Sequence, residues 1–208
     1  DSLCYPLQLS YQYWRATGRT DVFEAPYAET VRRILALWRT EQRHQEESPY
    51  RFQRRDCPPG DTLSHEGYGA PVGYSGMTWS GFRPSDDACR YGYLVPSNAF
   101  AVVVLGYVAE VARAVLGDEG LAVETTALRD EIESGIQRYG ICEHAEYGKV
   151  FAYETDALGN HHLMDDANVP SLLSLPYLGY VGADDEIYRN TRRLLLSSHN
   201  PYYNAGKY

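Results

Sequence analysis

The sequence predicts an all-α fold, an α/α toroid in which antiparallel helix pairs form two layers and long loops gather at one end. Three times along the chain, a more apolar helix is followed by a turn of glycine and acidic residues and then by a more amphipathic helix. This order is typical of stacked helix hairpins. The first helix of each pair is the more hydrophobic, so we expect it in the inner layer. The pairs have no fixed spacing, which disfavours a solenoid.

The first pair is predicted over residues 6–17 and 28–44. Proline in the first turn and Gly18 after the last turn mark the ends of its first helix. The second helix has apolar residues at helical spacing and a charged opposite face. We therefore expect it to cover the first helix from the solvent side.

The second and third pairs repeat this pattern. A nearly all-apolar helix is predicted over 97–116, and an amphipathic helix over 121–136 follows its Gly-Asp-Glu turn. The third pair is predicted over 169–178 and 186–196.

Two connections are much longer than ordinary links between helices, and such loops are commonly functional. Residues 48–96 are rich in Gly, Pro, Tyr and Ser, and residues 140–168 form the second connection. Within the second connection we predict a β-hairpin, with strands 149–153 and 161–164 on either side of the turn 157–160.

Composition limits the classes of partner. The chain has 208 residues, of which 44% are hydrophobic, enough for a core. Its 19 basic and 28 acidic residues give a net charge of −9, which disfavours nucleic acid as a partner. We expect no apolar run to approach the roughly 20 residues that span a bilayer, and therefore no membrane partner.

The cysteines and tyrosines are also informative. Four cysteines occur without a Cys-x-x-Cys pair, so we expect reduced thiols, although an even number leaves disulfides open. The 19 tyrosines suit the walls of a cleft for a polar, ring-shaped ligand as well as the edges of a core.

Residues 76–89 are the most unusual segment, because they combine aromatic side chains, a guanidinium and two adjacent carboxylates. A helix cap at Ser85 would explain Asp86 and Asp87, which would lie in the first turn. That interpretation gives no reason for the other unusual residues, which are Trp79, Phe82 and Arg83. We therefore favour a functional site.

A second pair of adjacent acids, Asp165 and Asp166, lies at the end of the other long connection. Glycoside hydrolysis needs one carboxyl group to protonate the leaving oxygen and another to activate water or attack carbon. Carboxylates on two loops at one end of a toroid would satisfy this need. Arg83 would hold a hydroxyl or orient an aspartate. The aromatic residues that would stack on sugar rings are Trp79, Phe82, Tyr91 and Tyr93, each of which has packing as an alternative role.

Two other chemistries are weaker. His161 and His162 with Asp165 and Asp166 offer metal ligands, but adjacent histidines in a strand point to opposite faces. The triplet 142–144, Cys-Glu-His, contains a nucleophile and a base, but we expect it at a surface helix end without an oxyanion site. Because those histidines point apart, no metal is expected. No nucleotide-binding glycine motif is present, so no cofactor is expected either.

The chain resembles glycoside hydrolase family 125, whose members are exo-acting α-1,6-mannosidases. The resemblance is carried by residues 76–89 followed by 91–98, and by further segments along most of the chain. These are residues 1–6, 48–52, 65–73 and 167–179.

The resemblance implies an (α/α)6 barrel, an inverting mechanism and a mannose-containing oligosaccharide as substrate. It implies that the general acid is Asp86 or Asp87, without choosing between them, and that the base is a glutamate beyond Tyr208. His65 and Asn168 enter the candidate binding residues through their matched segments. We therefore expect residues 1–208 to form one partial catalytic domain, taken from the middle of a family member and doubtfully active alone.

Two alternatives remain open. The chain could be a non-catalytic half-barrel that binds sugar weakly or only completes a structure. It could also belong to another α/α-toroid glycosidase or to a polysaccharide lyase, because a fold alone does not define a reaction.

Overall fold

Helices dominate the computed structural model, which describes residues 1–206, so the last two residues of the expected 1–208 domain lie outside the described part. The mostly helical prediction is confirmed, since 49% of the chain is helical and the sheets are small. The helices are α1 (Cys4–Thr17), α2 (Tyr27–Gln42), α3 (His44–Glu47), α4 (Ser64–Gly67), α5 (Val95–Val111), α6 (Glu119–Tyr139), α7 (Leu175–Leu178) and α8 (Glu186–Leu195).

The first predicted pair corresponds to α1 and α2. Helix α1 ends at Gly18, whose φ of 71° lies in the left-handed region and whose N–H donates to the Trp14 carbonyl at 2.8 Å. Helix α2 buries one apolar face, formed by Val31, Ile34, Leu35 and Trp38. Both helices are therefore where the periodicity predicted them.

Helix α5 is the centre of the fold and contacts α1, α6 and α7. Its residues are buried along most of its length, whereas α1 buries only Cys4 and Leu7. A π-helical segment, Ala112–Leu116, extends α5, and Asp118 then caps α6 by accepting the N–H of Leu121 at 2.9 Å.

The expectation that no apolar run approaches membrane-spanning length is wrong for this region. The helical stretch Val95–Leu116 has 22 residues and contains an 18-residue window with a mean hydropathy of 1.9, enough to cross a membrane by length and composition. Half of that window is buried inside the fold, and the core helix of a soluble protein passes the same test.

The third pair is only partly as predicted. Helix α8 begins after Asp185, whose side chain accepts the Tyr188 N–H at 2.8 Å. The helix predicted over 169–178 is reduced to the four residues of α7. Ser171 and Ser174 form a local turn in which each side-chain oxygen accepts the backbone N–H of the other, and such bonds compete with the helix ladder.

Within residues 1–206, five short strands form two sheets. Strands β1 (Tyr93–Leu94), β4 (Glu154–Thr155) and β5 (His161–His162) make one antiparallel sheet in the order β1-β4-β5. Strands β2 (Ile141–His144) and β3 (Gly148–Phe151) make the other. The turn before β5 was predicted correctly, but the strand that pairs with β5 was not. Residues 149–151 were predicted to pair with β5. They pair with β2, and β5 pairs with β4.

Candidate active site

Residues 81–89, here called the acid loop, form a tight reversal just before β1. The Cys89 N–H donates to the Gly81 carbonyl at 2.9 Å, and the Arg83 N–H donates to the Asp87 carbonyl at 2.8 Å. The Asp86 N–H donates back to Arg83 at 3.0 Å, and Asp86 has a left-handed φ of 67°. The loop is therefore not the helix cap that Ser85 would have started, and it places both aspartates at its tip.

The two adjacent aspartates have different surroundings. Asp86 is exposed, and no hydrogen bond to its carboxylate is found within residues 1–206. Asp87 is half-buried, and its Oδ2 accepts the Ser85 hydroxyl at 3.1 Å. The pair therefore offers one free carboxylate and one that is held by its own loop.

The side chain of Arg83 is buried and forms an ion pair with Glu154, which lies in β4. The Nε of Arg83 donates to Oε1 of Glu154 at 2.6 Å, and Glu154 is 0% exposed. Burial alone would raise the pKa of Glu154, but the nearby His162, whose Nδ1 is 3.6 Å from Oε2, and the hydrogen bond from Arg83 outweigh it and hold this pKa below its ordinary value. Arg83 is thus engaged inside the protein.

Glu154 was not among the residues predicted from the sequence. The available signal was a single acid placed directly after the apolar run Val150–Tyr153, where an unpaired charge would be very costly. That signal predicts a buried partner without identifying it, because Arg83 is 71 positions away.

Trp79 is not an open stacking platform. It is 7% exposed, and its indole stacks on the imidazole of His44 with ring centroids 3.5 Å apart. One edge of Trp79 borders a cavity of about 390 Å³. Asp1, Glu41, Gly81 and Asn98 also line this cavity, which has the size of a small-molecule pocket.

Two other aromatic candidates, Tyr93 and Phe82, pack inside the protein. Tyr93 is 1% exposed and donates its hydroxyl to the Gly73 carbonyl at 2.8 Å. Burial raises the pKa of Tyr93 to about 12. Phe82 is half-buried and packs edge-to-face on Phe52, with centroids 5.1 Å apart. The structure thus gives both residues a packing role, whereas Tyr91 is half-buried and has its ring edge-on to His162.

His65 lies in the short turn α4 and is exposed. It has a left-handed φ of 51°, and its Nδ1 is 3.0 Å from the Ser64 hydroxyl oxygen. The described contacts of its ring do not include the acid loop.

The two residues of the second acid pair have different surroundings: Asp165 is buried, and Asp166 bonds to Tyr153 and Asn168. Asp165 is 2% exposed and accepts the backbone N–H groups of Ala167 at 3.2 Å and Leu173 at 3.0 Å. Burial raises the pKa of Asp165 to about 6. Asp166 accepts the Tyr153 hydroxyl and the N–H of Asn168, both at 3.2 Å. Asn168 itself is exposed.

Tyr153 joins the two long connections. The guanidinium carbon of Arg83 lies 5.8 Å from the centroid of the Tyr153 ring, and the hydroxyl of that ring reaches Asp166. The Oδ2 of Asp166 is buried and has no hydrogen-bond partner among the described residues. The structure therefore brings Arg83 and Asp166 to one aromatic ring.

The histidines of β5 face different neighbours. The Nε2 of His161 is 3.1 Å from the Tyr139 carbonyl oxygen, whereas the Nδ1 of His162 is 3.3 Å from Arg83. Residues 1–206 contain no group of three or more His, Cys, Asp or Glu side chains placed to hold a metal ion.

The cysteine expectations had mixed outcomes. Within the described residues all four cysteines are free, as expected. The triplet Cys142–His144 lies in β2, so its expected position at a helix end is wrong.

Comparison with known proteins shows the family. The model of the metal-independent alpha-mannosidase family, GH125, matches residues 1–208. A solved Streptococcus pneumoniae structure, described as a metal-independent alpha-mannosidase in a non-productive complex with alpha-1,6-mannobiose, is 50% identical with a TM-score of 0.96. The match covers 100% of this chain and 49% of that one.

A Schizosaccharomyces pombe relative, the meiotically up-regulated gene 157 protein, is 40% identical over 222 residues. That match covers 100% of this chain and 42% of the relative, so the chain spans about half the length of the proteins it matches. The family model and both similarities extend over the whole chain, and the chain belongs to glycoside hydrolase family 125, the metal-independent alpha-mannosidases.

Proposed function

We propose that the whole protein is an inverting exo-α-1,6-mannosidase that acts on mannose-containing oligosaccharides. The observation that carries this proposal is the 50% identity, over all of this chain, to a mannosidase described with alpha-1,6-mannobiose bound. Because the chain spans about half of that relative, the proposed activity is one of the whole protein, to which this chain contributes one part.

The proposed architecture is an (α/α)6 barrel of which residues 1–208 form a partial catalytic domain. Helix α5 packs between neighbours in the manner of an inner helix, and α2 contacts α6 as an outer neighbour would. In this arrangement α1, α5 and α7 are assigned to the inner layer and α2, α6 and α8 to the outer layer, and α6 covers α5. The acid loop then lies before an inner helix, at the end of the barrel where the substrate enters.

The proposed chemistry assigns the proton donor to the acid loop. Asp86 is free to approach a glycosidic oxygen, whereas Asp87 is steadied by Ser85. The cavity beside Trp79 and Gly81 is large enough for a sugar ring. The general base is the glutamate that the family resemblance places beyond Tyr208.

The first experiment incubates the whole protein with α-1,6-mannobiose and follows the released anomer by NMR. Inversion predicts that β-mannose appears first, whereas α-mannose appearing first would refute the inverting mechanism. An unsaturated product that absorbs ultraviolet light would indicate a lyase. No turnover by a folded protein would favour a non-catalytic role.

A second experiment replaces the two aspartates separately. The variants are Asp86→Asn and Asp87→Asn. The one that replaces the general acid should lower kcat by roughly 100-fold or more, the usual contribution of general acid catalysis. Asp184→Asn, at an exposed turn residue, is the matched control. Equal mild losses in both variants would argue against either aspartate as the acid.

A further inference from the structure

Glu154 is a buried charge, and within residues 1–206 the hydrogen bonds that it accepts come from the acid loop and the residues just after it, while His162 lies 3.6 Å from its Oε2. Its Oε1 accepts the Nε of Arg83 at 2.6 Å, and its Oε2 accepts the backbone N–H groups of Arg90 and Tyr91, both at 2.9 Å. A carboxylate that is 0% exposed needs such partners, because an unpaired ion is very costly away from water.

These partners lie on opposite sides of the two aspartates. Arg83 precedes Asp86 and Asp87, and Arg90 and Tyr91 follow them. One carboxylate therefore fixes the segments on both sides of the aspartates, here called the two arms of the loop: Arg83 on one side and residues 90–91 on the other. The hydrogen bond from the Arg83 N–H to the Asp87 carbonyl closes the tip between them. Glu154 itself is fixed by the sheet, since it pairs with Leu94 in β1 and with His162 in β5.

We propose that Glu154 is a positioning residue that holds the proton donor of the acid loop in place for protonation of the leaving oxygen. It acts through Arg83 and the backbone of residues 90–91 and does not touch the substrate. This inference rests on the proposed mannosidase function, because only an acid-catalysed departure gives the loop a proton to deliver.

The replacement Glu154→Gln keeps the size of the side chain, but glutamine cannot accept all of the hydrogen bonds that Glu154 accepts. An amide has one acceptor oxygen, and its NH₂ group would face either the Arg83 Nε–H or the two backbone N–H groups. One arm of the loop would therefore be released. A displacement of about 1 Å in a reacting group can lower a rate by about 100-fold. Since proton donation develops in the transition state, we expect the loss in kcat with little change in KM.

The test compares two substrates in the whole protein. α-1,6-Mannobiose needs a proton on its leaving oxygen, whereas α-mannosyl fluoride releases fluoride without that help. For Glu154→Gln we expect kcat on mannobiose to fall by about 10- to 100-fold, with less than about threefold loss on the fluoride. A merely structural role would reduce the amount of active enzyme and lower both rates equally. Glu143→Gln, at an exposed position of β2, is the matched control.

Arg83→Lys is the second variant, because it keeps the buried positive charge and releases only one arm. If Glu154→Gln does not fold, Arg83→Lys decides the question with the same two substrates. A selective loss on mannobiose supports positioning, and equal losses or no loss overturn it. If the unmodified protein cleaves neither substrate, the proposed function itself has failed and the inference falls with it, whereas an active parent with non-selective variants refutes positioning alone.

Discussion

The imidazole of His44 lies flat on the indole of Trp79, with ring centroids 3.5 Å apart and planes 6° apart. The Nδ1 of His44 is 2.6 Å from a carboxylate oxygen of Glu41, and its Nε2 is 2.9 Å from the Tyr68 carbonyl oxygen. The ring thus connects the end of α2 to the segment that leads into the acid loop. Trp79 therefore stacks on this ring and also lines the cavity.

Replacing His44 should destabilise the protein and disturb the environment of Trp79. His44 is itself 1% exposed, and His44→Ala removes the stack, leaves a cavity and deletes the ring nitrogens that contact Glu41 and the Tyr68 carbonyl, so we expect a loss of about 2 to 3 kcal/mol. Urea unfolding measures the loss, and tryptophan fluorescence reports on the indole. His199→Ala, at an exposed histidine, should change stability by less than about 0.5 kcal/mol. Similar effects in both variants would contradict the role given to His44.

Two buried threonines should respond in opposite directions to replacement by valine. The Oγ1 of Thr191 in α8 accepts the Phe151 N–H at 2.8 Å, so Thr191→Val leaves a buried donor unpaired and should cost about 1 to 3 kcal/mol. The Oγ1 of Thr125 has no hydrogen-bond partner among the described residues. Thr125→Val should therefore cause no loss, or a gain of up to about 1 kcal/mol. Urea unfolding of both variants tests this contrast, which a loss of equal size in both would refute.

The sequence allowed the helices to be predicted because the signals that end a helix are local. Gly18 adopts a left-handed conformation, and Asp118 and Asp185 accept N–H groups three positions ahead. The helix predicted over 169–178 failed because Ser171 and Ser174 bond to each other's backbone, a choice that apolar periodicity does not reveal.

The candidate site was less predictable, because its contacts join distant parts of the chain. Residues 76–89 were identified from composition, but Glu154 pairs with Arg83 across 71 positions. The sequence likewise does not distinguish an aromatic residue that faces a cleft from one that is buried. For Tyr93 both sugar stacking and packing were open, and its hydroxyl donates to the Gly73 carbonyl inside the protein.

Two helical glycines provide a matched pair for packing. A Cβ on Gly135 in α6 would lie 2.5 Å from the Ser75 carbonyl oxygen and 3.1 Å from the Met77 nitrogen. Both are backbone atoms just before the acid loop, so Gly135→Ala should cost about 1 to 3 kcal/mol despite the better helix propensity of alanine. The same test on Gly106 in α5 finds nothing within 4 Å in the described part of the chain.

Gly106→Ala should therefore stabilise the protein by about 0.5 to 1 kcal/mol, because alanine loses less backbone entropy in a helix. Urea unfolding at constant pH gives both values. Stabilisation by Gly135→Ala would show that α6 does not need its close approach to residues 75–77.

The buried carboxyl of Asp165 should make stability depend on pH in a defined direction. Burial raises its pKa from 3.8 to about 6, so between those values the folded state binds more protons than the unfolded chain. Stability contributed by this carboxyl is therefore greatest near pH 4 and decreases as the pH rises through 6. A shift of this size corresponds to about 3 kcal/mol across that range.

Asp165→Asn removes this titration and keeps one oxygen for the backbone N–H groups of Ala167 and Leu173. At pH 4 the variant should be less stable than the unmodified protein. The protonated carboxyl of Asp165 is uncharged, so its burial costs little free energy, and its two oxygens still accept both backbone N–H groups. Between pH 4 and pH 7 the difference should shift by about 2 to 3 kcal/mol in favour of the variant. Urea unfolding at both pH values measures the shift, with Asp184→Asn, at an exposed position, as the control. Parallel stability curves for the variant and the unmodified protein would mean that Asp165 ionises in the fold as readily as in the unfolded chain, and that the backbone N–H groups of Ala167 and Leu173 fully offset its burial.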